Sequence, residues 1–195
     1  RDGRWLAYGS DLAGNFDIYR MSLPGGEPDR LTDDASDDIE PRWSHDGAEI
    51  AFQSQRHGSN DIFVMNGDGT NTRRLTSTQG NERTPDWSPD GRRLVYAGED
   101  GVYVVERAAD GVFGLPRRIA AMSAAYTRWS PDSRHIAFVG ADGGPRIVPS
   151  NGGEVRTLWP DTAGRSYAMP AEFRGALLEW SVDGKQLYYR VALGQ

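Results

Sequence analysis

Apolar residues along this chain come in short runs set between polar, glycine-rich stretches. Trp5-Leu6-Ala7-Tyr8, Ile50-Ala51-Phe52, Leu94-Val95-Tyr96, Ile136-Ala137-Phe138 and Leu187-Tyr188-Tyr189 are too short for helices. They are rich in β-branched and aromatic residues, so each predicts a strand packed on both faces. A second set, Asp17-Ile18-Tyr19-Arg20-Met21, Asp61-Ile62-Phe63-Val64-Met65, Gly101-Val102-Tyr103-Val104-Val105 and Arg146-Ile147-Val148, follows each of the first four after a polar loop. A third is shorter: Arg30-Leu31-Thr32, Arg74-Leu75-Thr76, Arg118-Ile119-Ala120 and Arg156-Thr157-Leu158.

Ahead of the apolar runs stands a repeated signature. Pro41-Arg42-Trp43-Ser44-His45-Asp46-Gly47 aligns with Pro85-Asp86-Trp87-Ser88-Pro89-Asp90-Gly91, with Thr127-Arg128-Trp129-Ser130-Pro131-Asp132-Ser133 and with Leu178-Glu179-Trp180-Ser181-Val182-Asp183-Gly184. Counting Asp2, the aspartates lie 44, 44, 42 and 51 residues apart. Each unit reads as strand A ending in Trp-Ser, a tight turn, strand B, a polar loop, strand C, a glycine turn such as Pro24-Gly25-Gly26, and strand D. In the Ser-Pro-Asp-Gly turn proline presets φ, aspartate bonds back to the backbone and glycine takes a positive φ. His45 stands in the proline position and Ser133 in the glycine position, so packing must hold those two turns.

Four antiparallel strands in about 43 residues is the unit of a β-propeller blade. One such sheet cannot bury both faces, so blades pack side by side around an axis, and the repeated tryptophan is read as inter-blade packing. The predicted fold is all-β, with four to five blades of a six- or seven-bladed ring. Residues 1–40 form a blade lacking its first strand. Residues 41–84, 85–126 and 127–176 form full blades, the last with a long D–A loop, and 177–195 the first strands of another. The opening at Asp2-Gly3, inside a turn, implies that a preceding Trp-Ser strand lies outside this sequence, and the missing blades come from the rest of the chain or from another chain. A closed four-blade ring is the competing arrangement.

Composition narrows the function. The formal net charge is −6, where a nucleic-acid binder needs a basic face. Cysteine is absent, which removes disulfides, thiolate metal sites and a cysteine nucleophile. No apolar run reaches the roughly 18–20 residues of a spanning helix, and the N-terminus carries no signal-peptide pattern.

The Trp-Ser-Pro-Asp-Gly units, Asp61-Ile62-Phe63-Val64-Met65 and Arg74-Leu75-Thr76 resemble the WD-like Pro-Asp repeats of the TolB β-propeller family, over nearly the whole chain. The resemblance implies a bacterial, periplasmic or otherwise extracytoplasmic propeller that binds a protein or peptide without catalysis. Similar repeats precede amidohydrolase or prolyl-oligopeptidase-like domains and occur in bacterial membrane kinases, so a substrate-gating or sensor propeller is the alternative.

Strand alternation puts the B–C and D–A loops at one end, here the top, and the two tight turns at the bottom, which reads as scaffold. Function concentrates on irregular loops carried by a rigid frame. The candidate partner-binding residues are therefore on the top face and channel rim: Asp38, Glu40, His57, Glu82, Arg83 and Tyr126, with Arg165, Tyr167, Phe173 and Arg174 on the long loop. Aromatic and arginine anchors suit recognition. No cofactor is expected. The acidic run Asp33-Asp34-Ala35-Ser36-Asp37-Asp38 raises calcium, but a solvated loop explains it as well. Asn66-Gly67-Asp68-Gly69-Thr70 lacks the first and last acidic ligands of a calcium loop, because Val64 and Leu75 stand there. His45, His57 and His135 fall at different places in their repeats, which disfavours a shared metal and a polysaccharide lyase. Gly164-Arg165-Ser166-Tyr167-Ala168 lacks the final glycine of a nucleophile elbow.

Overall fold

A computed structural model describes residues 3–158 and 178–189. Its strands are β1 (Trp5–Ser10), β2 (Asp17–Ser22), β3 (Asp29–Arg30), β4 (Asp38–Trp43), β5 (Glu49–Ser54), β6 (Asp61–Asn66), β7 (Arg73–Arg74), β8 (Arg83–Trp87) and β9 (Arg93–Ala97). They continue as β10 (Val102–Glu106), β11 (Arg117–Ala120), β12 (Ala124–Trp129), β13 (His135–Gly140), β14 (Pro145–Pro149), β15 (Arg156–Thr157), β16 (Leu178–Trp180) and β17 (Leu187–Tyr189). All pairings are between sequence neighbours and antiparallel. They give the sheets β1–β3, β4–β7, β8–β11, β12–β15 and β16–β17. The all-β propeller expectation is met, and no helix among the described residues is long and apolar enough to cross a membrane.

The core lies between the sheets. Ile18 packs with Ile50, Phe52, Phe63 and Met65, joining the first sheet to the second. Ala51, Ile62 and Val64 meet Trp87, Leu94 and Tyr96, joining the second to the third. Val95, Val102 and Val104 meet Trp129, Ile136 and Phe138 at the next boundary, and Ala137, Val139 and Ile147 meet Leu178 at the last. Each sheet is apolar on both faces, which is why strands B and C show unbroken apolar runs instead of alternation. Trp87 and Trp129 are fully enclosed, while Trp43 and Trp180 are half-buried. Trp87 Nε1 also donates to the Arg42 carbonyl of the neighbouring sheet at 3.1 Å.

One hydrogen-bond design closes all four Trp-Ser turns. The Ser44 hydroxyl donates to Asp46 (2.6 Å) and accepts from the Glu49 amide (2.9 Å), while Asp46 accepts from the Ala48 amide (3.0 Å). Ser88–Asp90, Ser130–Asp132 and Ser181–Asp183 repeat the hydroxyl–carboxylate bond. The serine hydroxyl holds the carboxyls of Asp46, Asp132 and Asp183 below the usual range. Ser133 adopts φ 60°, close to the 71°, 69° and 68° of Gly47, Gly91 and Gly184. The turn therefore keeps its shape although serine, unlike glycine, disfavours the left-handed region, and it is held by packing and by this network.

Strand A is longer than the sequence suggested. Asp38, Glu40, Arg83 and Tyr126, candidates for the top face and channel rim, lie on β4, β8 and β12 and not in the loops before them. Each of these strands carries a bulge, with register breaks between Ile39 and Arg42, Arg83 and Asp86, and Ala125 and Arg128. The residue three before each tryptophan, Glu40, Thr84 or Tyr126, takes φ 57°, 51° or 55°. A bulge bends and twists its strand while leaving the outer ladder intact, so the inner strand runs from rim to lower mouth despite the interrupted alternation that hid it.

Candidate functional site

The top face is a welded frame. Asp38 is fully buried, and Arg56 Nη2 donates to both of its carboxylate oxygens at 3.0 and 2.8 Å. Arg56 Nε donates to the Ser54 hydroxyl (2.9 Å), and its guanidinium lies 4.7 Å from the centre of the Phe63 ring. Burial nonetheless pushes the Asp38 carboxyl up, against the Ser54 and Arg56 bonds. Asn15 ties the acidic run down by donating to the Asp34 and Ser36 carbonyls at 2.9 and 3.1 Å, and Asp37 accepts from the Phe16 amide (3.0 Å). The Asp37 and Asp38 carboxylates thus serve the frame itself.

Glu82 occupies in the next blade the place of Asp38. It is 3% exposed, accepts hydrogen bonds from Thr76 (3.0 Å) and Thr78, and donates its backbone amide to the Asn60 carbonyl (2.7 Å). Burial pushes its carboxyl up, and the neighbouring Asp61 carboxylate adds to that. With a raised pKa the folded chain holds this proton to higher pH than the unfolded chain, so stability from this group falls as pH rises past the ordinary value of 4.5. Glu82→Gln is therefore expected to match the parent near pH 4 and exceed it at pH 7, by about 1.4 kcal/mol for each unit of elevation. Urea melts at the two pH values check this, and a variant weaker at pH 7 than at pH 4, relative to the parent, contradicts it.

Asp38 and Glu82 are thus enclosed within the frame and not exposed on the rim, a correction that burial alone supplies. Arg83 and His57 are exposed and Glu40 and Tyr126 half-buried. His57 stacks on Phe63, with ring centres 5.9 Å apart, and Tyr126 packs toward Leu178. Among the described residues, these candidates do not share the wall of the cavity described below. Arg165, Tyr167, Phe173 and Arg174 lie outside the described residues.

The lower end, read from the sequence as scaffold, holds a cavity of about 240 Å³. The residues just before the four tryptophans, Arg42, Asp86, Arg128 and Glu179, share its wall. Arg128 Nε donates to Glu179 at 3.1 Å, and Arg42 stands 3.6 Å from the same carboxylate. Since β4 and β16 belong to the second and fifth sheets, that contact crosses the central channel. Asp86 accepts from the Trp129 amide of the next strand (2.8 Å). The turn residues His45, Pro89, Pro131 and Val182 form the rim. The alternating charges could have been noticed in the repeat alignment, but nothing local says that they meet. Among the described residues, no three His, Asp or Glu side chains are grouped to hold a metal.

The family of the TolB beta propeller domain matches residues 1–111, more than half the chain. The chain belongs to that family. Among solved structures, one assigned to TolB of Agrobacterium tumefaciens is similar with 25% identity and a TM-score of 0.77, covering 99% of this chain and 72% of the other. TolB from Acinetobacter baumannii shares 19% identity at a TM-score of 0.72, over 95% of this chain and 46% of its own. A nidogen–laminin complex also shares 19% identity, with a TM-score of 0.72, over 97% of this chain and 68% of its counterpart. The last two likenesses bear on the fold alone. No curated protein matches the sequence.

Proposed function

We propose that this TolB-family propeller is a non-catalytic module that binds a protein or peptide outside the cytoplasm. The observation that carries this reading is the hydrogen-bonded top face. Loops held by Asn15, Arg56 and Asn81 present the exposed Arg83 and His57 on a fixed frame. A preorganised surface loses little ordering entropy on binding. The long segment 160–176, with Arg165, Tyr167, Phe173 and Arg174, belongs to the same end in this reading. Membership of the TolB beta propeller domain family supports extracytoplasmic placement.

In this reading the chain supplies four to five blades of a six- or seven-bladed ring, and its span of 72% of the Agrobacterium relative supports further blades beyond it. Residues 1–40, 41–84, 85–126, 127–176 and 177–195 are then its successive blades or parts of blades. The test is capture from a bacterial extracytoplasmic extract with the immobilised chain and with its Arg83→Ala, Tyr167→Ala, Arg174→Ala triple variant. The expected result is a discrete partner retained by the parent and lost by the variant, at unchanged melting temperature. Equal retention by both refutes the top-face site.

A further inference from the structure

We infer that the lower mouth of the channel is a blind socket for a chain end, receiving the C-terminal carboxylate of a peptide on Arg42 and Arg128 with its last side chain against the tryptophan and proline rim. This site is independent of the top-face reading and lies at the opposite end of the inner strands.

Hydrogen-bond donors are in surplus there. Among the described residues, the Arg42 side chain makes no hydrogen bond and meets an acid only at 3.6 Å. Arg128 spends Nε on Glu179 and Nη1 on the Thr127 carbonyl, which leaves Nη2. Of the acceptors among the described residues, Asp86 Oδ2 takes the Trp129 amide and Glu179 Oε1 the Arg128 guanidinium. A guanidinium offers five donors in a planar fork, and a carboxylate satisfies that fork with two oxygens. The ligand chemistry that completes the site is therefore an anion of carboxylate shape.

Shape selects an end over a passing strand. The Arg42–Glu179 contact lies across the channel, so a ligand entering from below must stop at it. The volume of about 240 Å³ corresponds to about eight waters at ~30 Å³ each, room for one terminal residue. The rim of Pro89, Pro131 and Val182, the last 98% exposed, has no cost in covering polar groups and suits an aliphatic side chain.

Titration of the whole chain with the tripeptide N-acetyl-Ala-Ala-Leu, followed by tryptophan fluorescence and calorimetry, tests this. The free acid is expected to bind. Its C-terminal amide, and an amidated peptide carrying an internal aspartate instead, are each expected to bind at least ~tenfold more weakly. Arg42→Gln, at a half-buried position, is expected to weaken the acid by at least ~tenfold with no change in melting temperature. Glu179→Gln, which removes the competing carboxylate, is expected to tighten it roughly threefold. Arg83→Ala at the top face is expected to leave it unchanged, so failure here and failure of the top-face reading are separate results. Equal binding of acid and amide, equal binding of the internal aspartate peptide, indifference to Arg42→Gln, or no binding at millimolar acid overturns the socket.

Discussion

Trp87→Ala is expected to cost roughly 3–5 kcal/mol, the range for removing a fully enclosed aromatic. The side chain is 1% exposed and fills the boundary between the second and third sheets, against Ala51, Ile62, Val64 and Leu94. Arg107 lies over its ring at 5.3 Å and is held from the other side by Glu49, so truncation also uncovers a half-buried ion pair. Trp180→Ala, at a half-buried ring, is expected to cost clearly less. Trp87→Phe would keep much of the area but lose the bond to the Arg42 carbonyl, a loss of about 1 kcal/mol before any cavity term. Chemical denaturation measures all three. Hydrogen exchange locates the damage: stacked repeats contact only their neighbours, so β5, β6, β9 and β10 should lose protection before β13 and β14. A Trp87→Ala variant within 1 kcal/mol of the parent, the ordinary size of a single substitution, would remove the tryptophans from the centre of the fold.

Arg56→Met comes next. It keeps an apolar side chain of similar length but removes the guanidinium that lies over Phe63, and it strands Asp38, which has no exposure, without the Nη2 that serves both its oxygens. Removing one partner of a buried pair costs roughly 3–5 kcal/mol. The pH dependence gives the mechanism away. Asp38 already holds its proton above the ordinary value of 3.8 because burial outweighs its hydrogen bonds, and losing Arg56 lifts it further. A raised carboxyl loses stability as pH rises, so the variant should be nearly native near pH 4 and weakest at neutral pH. Asp38→Asn added to Arg56→Met should recover part of the loss at pH 7, because an amide is not ionised. A pH-independent loss would mean that Arg56 acts through packing on Phe63 instead of through charge.

These two residues mark the border between what local pattern reveals and what it hides. Trp87 was legible as a packing residue, because a large aromatic recurring at one place in a strand-turn-strand unit has few other uses. Ser44 was underrated: its hydroxyl is the hub of the turn, and only the repetition of Trp-Ser itself hinted at it. Asp38 and Glu82 were misread as rim residues. Acidic side chains beside turn-forming residues look solvated; Arg56 stands 18 residues from Asp38, and although Thr76 and Thr78 are close to Glu82 in sequence, no pattern there shows that they close over it.

The chain's own order of apolar runs, turn residues and tryptophans determined the strands, their antiparallel neighbours and the stacking of sheets face against face. Those features depend on contacts between residues at most one repeat apart, so the information is local. The lower cavity was decided by tertiary structure. Arg42 and Glu179 are separated by three repeats and meet only because the inner strands turn about a common channel, and the exposure of a carboxylate depends on everything that packs around it.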